Sequence, residues 1–197
     1  MESAMDKERG GLPVLDFADA AAWEAWLAAN GGEASGMWLK IAKAGNSDSS
    51  LTKAQAIDAA LCHGWIDGQI DKWDQAWFLT RFTPRKRTSK WSQNNCKRAE
   101  QLVAEGRVAE AGLSEIAAAK ADGRWDAAYA PASTAEEPED LRAALDAEPD
   151  ARAFFDTLSG ANRYAILYRV QTAKKAETRA ARIEKFVAMC AKGETLH

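Results

Sequence analysis

Residues 63–98 read HGWIDGQIDKWDQAWFLTRFTPRKRTSKWSQNNCKR and contain four of the eight tryptophans of the chain. Aromatic and β-branched residues in the first half are spaced as on a pleated, half-buried surface. This spacing predicts two strands joined by a short polar turn at Asp74-Gln75. The second strand ends at Pro84 in this prediction, because proline has no backbone N–H to donate to the ladder.

A basic segment follows the predicted hairpin. After Asp74 the stretch carries seven basic residues and no acidic one. Ser89 or Ser92 offers an N-cap for a helix that runs from about Trp91 toward Gly106. A basic loop leading into a helix N-terminus is typical of an anion site, because free backbone N–H groups and the helix dipole both favour negative charge.

The bulk composition is that of an ordinary globular protein. The 197 residues include 47% apolar and 28% charged residues, enough for a core in one domain or two small lobes. The net charge of −3 and the sequence pI of about 5.5 argue against a nucleic-acid-binding protein, whose affinity rests on phosphate neutralisation. The partner we expect is an anionic small molecule or an acidic segment.

Charge is segregated along the chain. Residues 81–98 are purely basic, residues 133–150 carry seven acidic and one basic residue, and residues 163–185 carry seven basic and two acidic residues. Blocks of this kind most often form solvated faces. The alternative is that Arg179 and Arg182 turn inward and meet the acidic segment or the central basic loop.

Cysteine and histidine usage predicts neither a metal site nor a disulfide framework. Cys62, Cys96 and Cys190 are far apart and odd in number, and His63 and His197 are the only histidines. No cofactor is indicated. The charged start of the chain lacks an apolar signal segment, and no run of about 18 apolar residues is present. We therefore expect no membrane span and a cytoplasmic location.

The pattern as a whole predicts an α+β fold, with a small N-terminal antiparallel or mixed sheet and two helices, followed by a helical C-terminal lobe. We expect a flexible tail at 1–11, the sheet lobe at 12–90 and the helical lobe at 91–197, the two lobes packed as one compact unit. The other predicted strands are 12–17 and 36–44, and a loop is predicted at 45–51. One predicted helix is capped by Asp19 and ends at Asn30, and a second has a Thr52/Gln55 capping box and ends near His63. Further helices are predicted at 113–121, 139–147, 150–158, 160–173 and 175–191.

A ligand site is predicted around the basic loop. The arginine fork suits a carboxylate or phosphate, serine hydroxyls bind oxygens, and tryptophan rings supply an apolar wall. The predicted ligand-binding residues are Trp65, Asp67, Arg85, Arg87, Ser89, Trp91, Ser92 and Arg182. Asp67 is also expected to form an ion pair with Arg85 or Arg87.

Two other functions stay open. One is an enzyme acting on a small anionic substrate, with Asp67 or His63 as the base. Against it, glycines around His63 also fit a tight junction between a helix and a strand. The other is a helical protein-interaction module, which an exposed apolar patch on the last helix would favour.

Four segments, spread over about residues 52–190, resemble a known family. They read ALCHGWIDGQIDKWD, FTPRKRTSKWSQNNCKRAEQLVAEGRV, AGLSEIAAAKADGRWDAAY and RVQTAKKAETRAARI. In these segments the chain is similar to the YdeI/OmpD-associated family, also labelled bacteriocin-protection proteins. The resemblance implies a role in bacterial resistance to bacteriocins and antimicrobial peptides and in envelope stress. Because no export signal is visible, we expect any protection to be indirect and exerted from inside the cell. It implies no particular reaction or cofactor.

Overall fold

The computed structural model describes residues 7–43 and 51–196. The predicted loop at 45–51 lies outside these residues except for Leu51. The described residues form two compact units. The first comprises the residues up to Trp91 together with 95–127, and the second comprises 92–94 and the residues from Ala128 onward.

The first unit contains a mixed five-stranded sheet with the order β1-β2-β3-β5-β4. Only the β2–β3 pair is parallel, and the other three pairs are antiparallel. The strands are β1 Lys7–Arg9, β2 Leu12–Leu15, β3 Met37–Ala42, β4 Trp65–Lys72 and β5 Trp77–Pro84. The predicted hairpin is confirmed as β4–β5, and β1 lies within the segment that was predicted to be a tail.

Helix boundaries in the first unit follow local capping chemistry. The Asp19 carboxylate accepts a hydrogen bond from the Ala22 N–H at 2.8 Å, and Thr52 with Gln55 forms a complete capping box. Gly64 follows the second helix with φ +73°, the left-handed conformation that glycine adopts without strain. The helices are α1 Ala20–Asn30, α2 Lys53–Cys62, α3 Gln93–Ala104 and α4 Glu110–Ala121. Most of α3 and all of α4 belong to this unit, whereas the sequence predicted a helical lobe from residue 91.

Apolar side chains cover both faces of the sheet. A small cluster on one side contains Leu12, Trp38 and Leu79. The main cluster joins the sheet to α1 and α2, and Trp23 at its centre donates from Nε1 to the Ala56 carbonyl at 3.1 Å. Its buried members are Trp23, Leu27, Met37, Leu39, Ile41, Leu51, Ala56, Ala59, Ala60, Trp65 and Phe82.

Helix α4 passes very close to the end of α2 at Gly112. A Cβ atom placed there would lie 2.4 Å from the Cys62 carbonyl oxygen and 2.8 Å from the Leu61 carbonyl oxygen. Because both neighbours are backbone atoms, they cannot move aside as a flexible side chain would. The sequence predicted that this helix begins at residue 113, and the close approach at Gly112 is a tertiary feature.

We expect Gly112→Ala to lower the free energy of unfolding by about 1–3 kcal/mol, the usual penalty for overpacking. Gly160→Ala is the matched control, because it also adds one methyl group to a helix but meets nothing within 4 Å. That control should be neutral or stabilising by up to about 1 kcal/mol, since alanine is the better helix former. Urea denaturation of both variants measures the difference, and equal stability would contradict the close packing at Gly112.

The second unit is helical. Its helices are α5 Glu139–Asp146, α6 Pro149–Thr157, α7 Gly160–Gln171 and α8 Ala176–Ala191, and each agrees with the predicted range to within about two residues. Ser159 caps α7 by accepting from the Asn162 N–H at 3.4 Å. The core is formed by Leu141, Leu145, Ala151, Phe155, Ile166, Leu167, Val170, Ile183, Phe186, Val187 and Cys190. The predicted α+β class, with a mixed N-terminal sheet and a helical C-terminal region, is confirmed.

The acidic segment 133–150 is partly neutralised within this unit. Asp140 receives two hydrogen bonds from Arg179 at 2.6 and 2.7 Å, so Arg179 does meet the acidic segment. The hydrogen bonds and charge of this guanidinium hold the pKa of Asp140 below its ordinary value. Arg182 has a different partner, because its Nη1 donates to the Arg169 carbonyl.

Candidate functional site

The basic loop leaves the sheet at the end of β5. The Arg85 N–H donates to the Gly64 carbonyl at 2.9 Å, which ties the loop to the junction between α2 and β4. The Ser89 N–H donates to the Lys86 carbonyl and the Lys86 N–H donates to Ser89 Oγ, both at 2.8 Å. Ser89 therefore closes a turn within the loop. Of the two predicted caps, only Ser92 directly precedes α3.

Arg85 is buried against a tryptophan ring. Arg85 is only 6% exposed, and its guanidinium carbon lies 3.5 Å from the centroid of the Trp91 ring. Nη1 donates to the Lys90 carbonyl at 3.3 Å. An arginine stays protonated when buried, so this contact holds a positive charge in a desolvated place over an aromatic face.

A second arginine and a second tryptophan adjoin this pair. The rings of Trp91 and Trp125 have centroids 4.8 Å apart, and Arg124 Nη1 donates to the Ser89 carbonyl at 3.3 Å. The Arg124 side chain is only 10% exposed. We call Arg85, Trp91, Arg124 and Trp125 the arginine–tryptophan cluster, and all four residues belong to the first unit.

Two donors in the cluster have no acceptor. Trp91 Nε1 and Arg124 Nη2 are buried and have no hydrogen-bond partner within residues 7–43 and 51–196. Both nitrogen atoms can donate but cannot accept. Buried polar groups are normally satisfied, so two orphaned donors in one cluster indicate an acceptor such as an anion oxygen or a water molecule.

Charges of both signs surround the cluster. Lys86, Arg87 and Lys90 are exposed on the loop. Arg124 Nε donates to both oxygens of Asp122, at 2.9 and 2.8 Å. Desolvation acts to raise the pKa of Asp122, yet the hydrogen bonds and charge of Arg124, with a contribution from Arg87, hold that pKa below its ordinary value. Asp122 thus stays ionised and neutralises part of Arg124.

The cysteines are poor nucleophiles at neutral pH. Burial raises the pKa of Cys62 and of Cys96 to about 11, although Arg85 acts to lower the value for Cys96. Burial also raises the pKa of Cys190. All three are buried free thiols. A protonated thiol is unreactive, so none of them supplies a thiolate for chemistry.

Trp65 and Asp67 lie on β4, outside the cluster. Trp65 is 1% exposed, packs edge-on against Trp23, and donates from Nε1 to the Gly31 carbonyl at 3.1 Å, which are the contacts of a core side chain. Asp67 is half-buried opposite Phe82. Among the described residues Asp67 takes part in no ion pair, so the expected pairing with an arginine of the loop is not formed.

The other predicted residues are spread over both units. Arg87 and Ser89 are on the loop beside the cluster, whereas Ser92 and Arg182 belong to the second unit. His63 is the C-cap of α2, and burial lowers its pKa despite the nearby charge of Glu24. A lowered pKa keeps this imidazole neutral at neutral pH, and the enzyme hypothesis with His63 or Asp67 as base stays a prediction.

Sequence reasoning missed Arg124 and Trp125. They lie between the helices predicted at 113–121 and 139–147, in a segment to which the sequence assigned no element. The signal available was the Gly123-Arg124-Trp125 run, which combines the two residue types that form the other half of the cluster. Only the tertiary structure shows that the Trp125 ring packs against Trp91.

Within the described ranges, no group of three or more His, Cys, Asp or Glu residues is placed so that it could hold a metal ion. Among the described residues, no helix combines the length and the apolar character that are needed to span a bilayer.

Comparisons with curated proteins and with solved structures gave no match. Two family models do match. The model for the family described as Bacteriocin-protection, YdeI or OmpD-Associated covers residues 134–193, and of the four segments that carried the resemblance only the last lies inside this range. The other model covers residues 15–115, just over half of the chain. The chain therefore belongs to the family described as Domain of unknown function (DUF8412), and residues 134–193 are similar to the YdeI/OmpD-associated, bacteriocin-protection family.

Proposed function

We propose that the chain is a bacteriocin-protection-associated protein of the bacterial cytoplasm that binds a phosphate-like anion at the arginine–tryptophan cluster. The match of residues 134–193 to the bacteriocin-protection family supports the general role. The observation that supports anion binding is the pair of buried donors, Trp91 Nε1 and Arg124 Nη2, beside the stacked guanidinium of Arg85.

The physical case for an anion is that the unsatisfied buried groups are hydrogen-bond donors, not acceptors. Both orphaned atoms are donors, and one of them belongs to a guanidinium. A hydrogen bond that involves a charged group contributes about 1.5–3 kcal/mol, more than a bond between neutral groups. A bound anion would therefore gain more at these donors than a water molecule would. The exposed charges of Lys86 and Arg87 would raise the rate at which anions arrive.

Of the other predicted ligand-binding residues, Ser89 is the one that could also contact the anion. Ser89 Oγ already accepts from the Lys86 N–H, and it keeps its own hydroxyl proton for a ligand oxygen. Ser92, Arg182, Trp65 and Asp67 lie outside the cluster, and the anion site proposed here does not require them.

We expect the double variant Arg85→Met with Arg87→Met to bind inorganic phosphate at least about tenfold more weakly, because the buried guanidinium of Arg85 supplies a charged contact of about 1.5 kcal/mol or more, whereas the exposed Arg87 adds little. Methionine keeps an unbranched apolar stem against Trp91 and so preserves the packing better than alanine. The measurement is the shift of the thermal midpoint with phosphate, compared with chloride at equal ionic strength.

The matched control is Lys72→Met with Arg81→Met. It removes the same charge from exposed positions on β4 and β5 and should leave phosphate affinity unchanged within a factor of about two, because exposed charges are largely screened. Trp91→Phe removes one orphaned donor while keeping a ring under Arg85, and it should weaken phosphate binding about tenfold. A wild-type chain that responds equally to phosphate and chloride would dismiss the anion site.

A further inference from the structure

Asp122 fixes the orientation of the Arg124 guanidinium. Arg124 Nε donates to both carboxylate oxygens, at 2.9 and 2.8 Å, and the Arg124 backbone N–H donates to Asp122 Oδ1 at 3.2 Å. Nη1 donates to the Ser89 carbonyl at 3.3 Å. Nε and Nη1 thus have acceptors within the protein, and the orphaned Nη2 is the corner of this guanidinium that is left for a ligand.

The same carboxylate sets the charge of the arginine–tryptophan cluster. Its negative charge balances that of Arg124, whose side chain is 10% exposed. Lys120 Nζ lies 4.8 Å from the centroid of the Trp125 ring and is balanced in the same way by Glu100, at 3.8 Å. Together with Arg85, the cluster and these neighbours contain three positive groups and two carboxylates, which gives a net charge of +1.

The other charges near the cluster face water. Lys86, Arg87 and Lys90 are exposed on the loop, and Asp126 is exposed in the turn after α4. Water and salt screen such charges, so they act mainly on the rate at which an ion arrives. Asp122 differs from them because it contacts a buried guanidinium directly, although its own side chain is 37% exposed.

A desolvated site with this balance favours a singly charged anion. A monoanion bound there is compensated, whereas a dianion leaves one negative charge without compensation, which is costly away from water. Carboxylates and phosphodiesters carry one negative charge at neutral pH. Phosphate monoesters carry close to two negative charges above their second pKa of about 6. Inorganic phosphate meets the requirement in its monoanionic form.

We propose that the anion site takes a singly charged oxyanion, a carboxylate or a phosphodiester, and that Asp122 makes the site discriminate against dianions. This inference rests on the proposed anion site and names the class of its ligand. Asp122 acts through Arg124, because an ionised carboxylate has no donor to offer to an anion.

The test compares three probes of known charge on the full-length chain at about pH 8 and constant ionic strength. Dimethyl phosphate and acetate carry one negative charge, and methyl phosphate carries two. Two-dimensional nuclear magnetic resonance follows the Trp91 Nε1–H signal, which is assigned by its absence from Trp91→Phe. We expect at least one of the monoanions to bind at least about tenfold more tightly than methyl phosphate, and the tighter of the two identifies the chemistry of the ligand.

The outcomes distinguish this inference from the proposed function. Methyl phosphate that binds as tightly as both monoanions, or more tightly, would overturn the charge selectivity and leave the anion site standing. If none of the three probes shifts the Trp91 Nε1–H signal, both the anion site and its selectivity are wrong.

Asp122→Asn tests the role of the carboxylate. Asparagine keeps an oxygen that can accept from Arg124 but removes the negative charge. We expect the ratio of monoanion affinity to methyl phosphate affinity to fall about tenfold, in favour of the dianion. A displaced Arg124 would instead weaken all three probes alike, so an unchanged ratio in Asp122→Asn would overturn the role of Asp122 in selectivity.

Asp126→Asn is the matched control. It removes the same charge from an exposed position in the same part of the chain, and Asp126 forms no ion pair among the described residues. The affinity ratio should stay within a factor of about two of the wild type. If Asp126→Asn shifts the ratio as far as Asp122→Asn does, the field of the whole region selects the charge of the ligand and Asp122 does not.

Discussion

Glu137→Ala will lower the stability of the second unit by about 2–3 kcal/mol. The Glu137 side chain is 7% exposed and accepts from Arg152 at 2.7 Å and from Arg163 at 3.2 Å. Both guanidinium groups also lie over the Phe155 ring, at 5.2 and 4.5 Å from its centroid. Without the carboxylate, two positive charges face each other beside an apolar ring.

The size of this effect follows from burial. Breaking a fully buried ion pair costs about 3–5 kcal/mol, because the remaining charge is left without compensation. The side chains of Arg152 and Arg163 are 24% and 36% exposed, and Arg152 keeps Asp156 as a partner. Solvent and the second carboxylate therefore recover part of the loss, so the expected loss of about 2–3 kcal/mol lies below that of a fully buried pair.

Glu136→Ala is the matched control. Glu136 is the preceding residue, is exposed, and forms no ion pair among the described residues, so its removal should change stability by less than about 0.5 kcal/mol. Urea denaturation followed by far-ultraviolet circular dichroism gives the stability, and amide hydrogen exchange along α6 and α7 localises it. Equal stability of the two variants would show that Glu137 does not hold this core together.

Element boundaries could be predicted where a few neighbouring residues decide them. Asp19 caps α1 and the Thr52/Gln55 box starts α2, each through hydrogen bonds to a residue three positions away. Pro84 ends β5 because it has no backbone N–H to donate. Chemistry of this range is visible in the sequence. In the second unit only α7 has a side-chain cap, from Ser159, and the other three helices were predicted to within about two residues from the spacing of their apolar residues.

Contacts between distant residues could not be predicted in the same way. Strand β1 has only three residues, and its pairing with β2 makes it a strand. Such a short segment carries no periodic signal of its own. Likewise Trp91 and Trp125 are separated by 34 positions, and nothing local shows that their rings meet. The sequence therefore predicted the part of the candidate site that lies on the basic loop, but it did not predict Arg124 and Trp125.

Charge blocks show the same limit. The acidic segment and the basic residues of α7 and α8 were evident, but their pairing was not. Asp140 and Arg179 are 39 positions apart and form a two-fold hydrogen-bonded pair, whereas Glu148 and Glu184 form no ion pair among the described residues. Composition fixes how many charges there are, and packing decides which of them stay available for a partner.

Trp23→Ala will destabilise the first unit by about 3–5 kcal/mol, the range found when a buried large aromatic residue is truncated. Trp23 is 0% exposed, stacks on Trp26 with centroids 5.6 Å apart, and meets Phe82 edge-on at 5.6 Å. The truncation also leaves the buried Ala56 carbonyl without the Nε1 donor, which adds about 1 kcal/mol.

Two further variants separate packing from hydrogen bonding. Trp23→Phe keeps most of the ring but loses the bond to Ala56, so we expect a smaller loss of about 1–2 kcal/mol. Trp77→Ala is the matched control, because this half-buried ring on β5 has Lys40 over one face and a lesser share of the core. All eight tryptophans lie in the first unit, so tryptophan fluorescence during urea denaturation follows that unit in every variant. If Trp23→Ala loses no more stability than Trp77→Ala, then the α1–sheet core does not depend on Trp23, and the remaining aromatic contacts hold it without this ring.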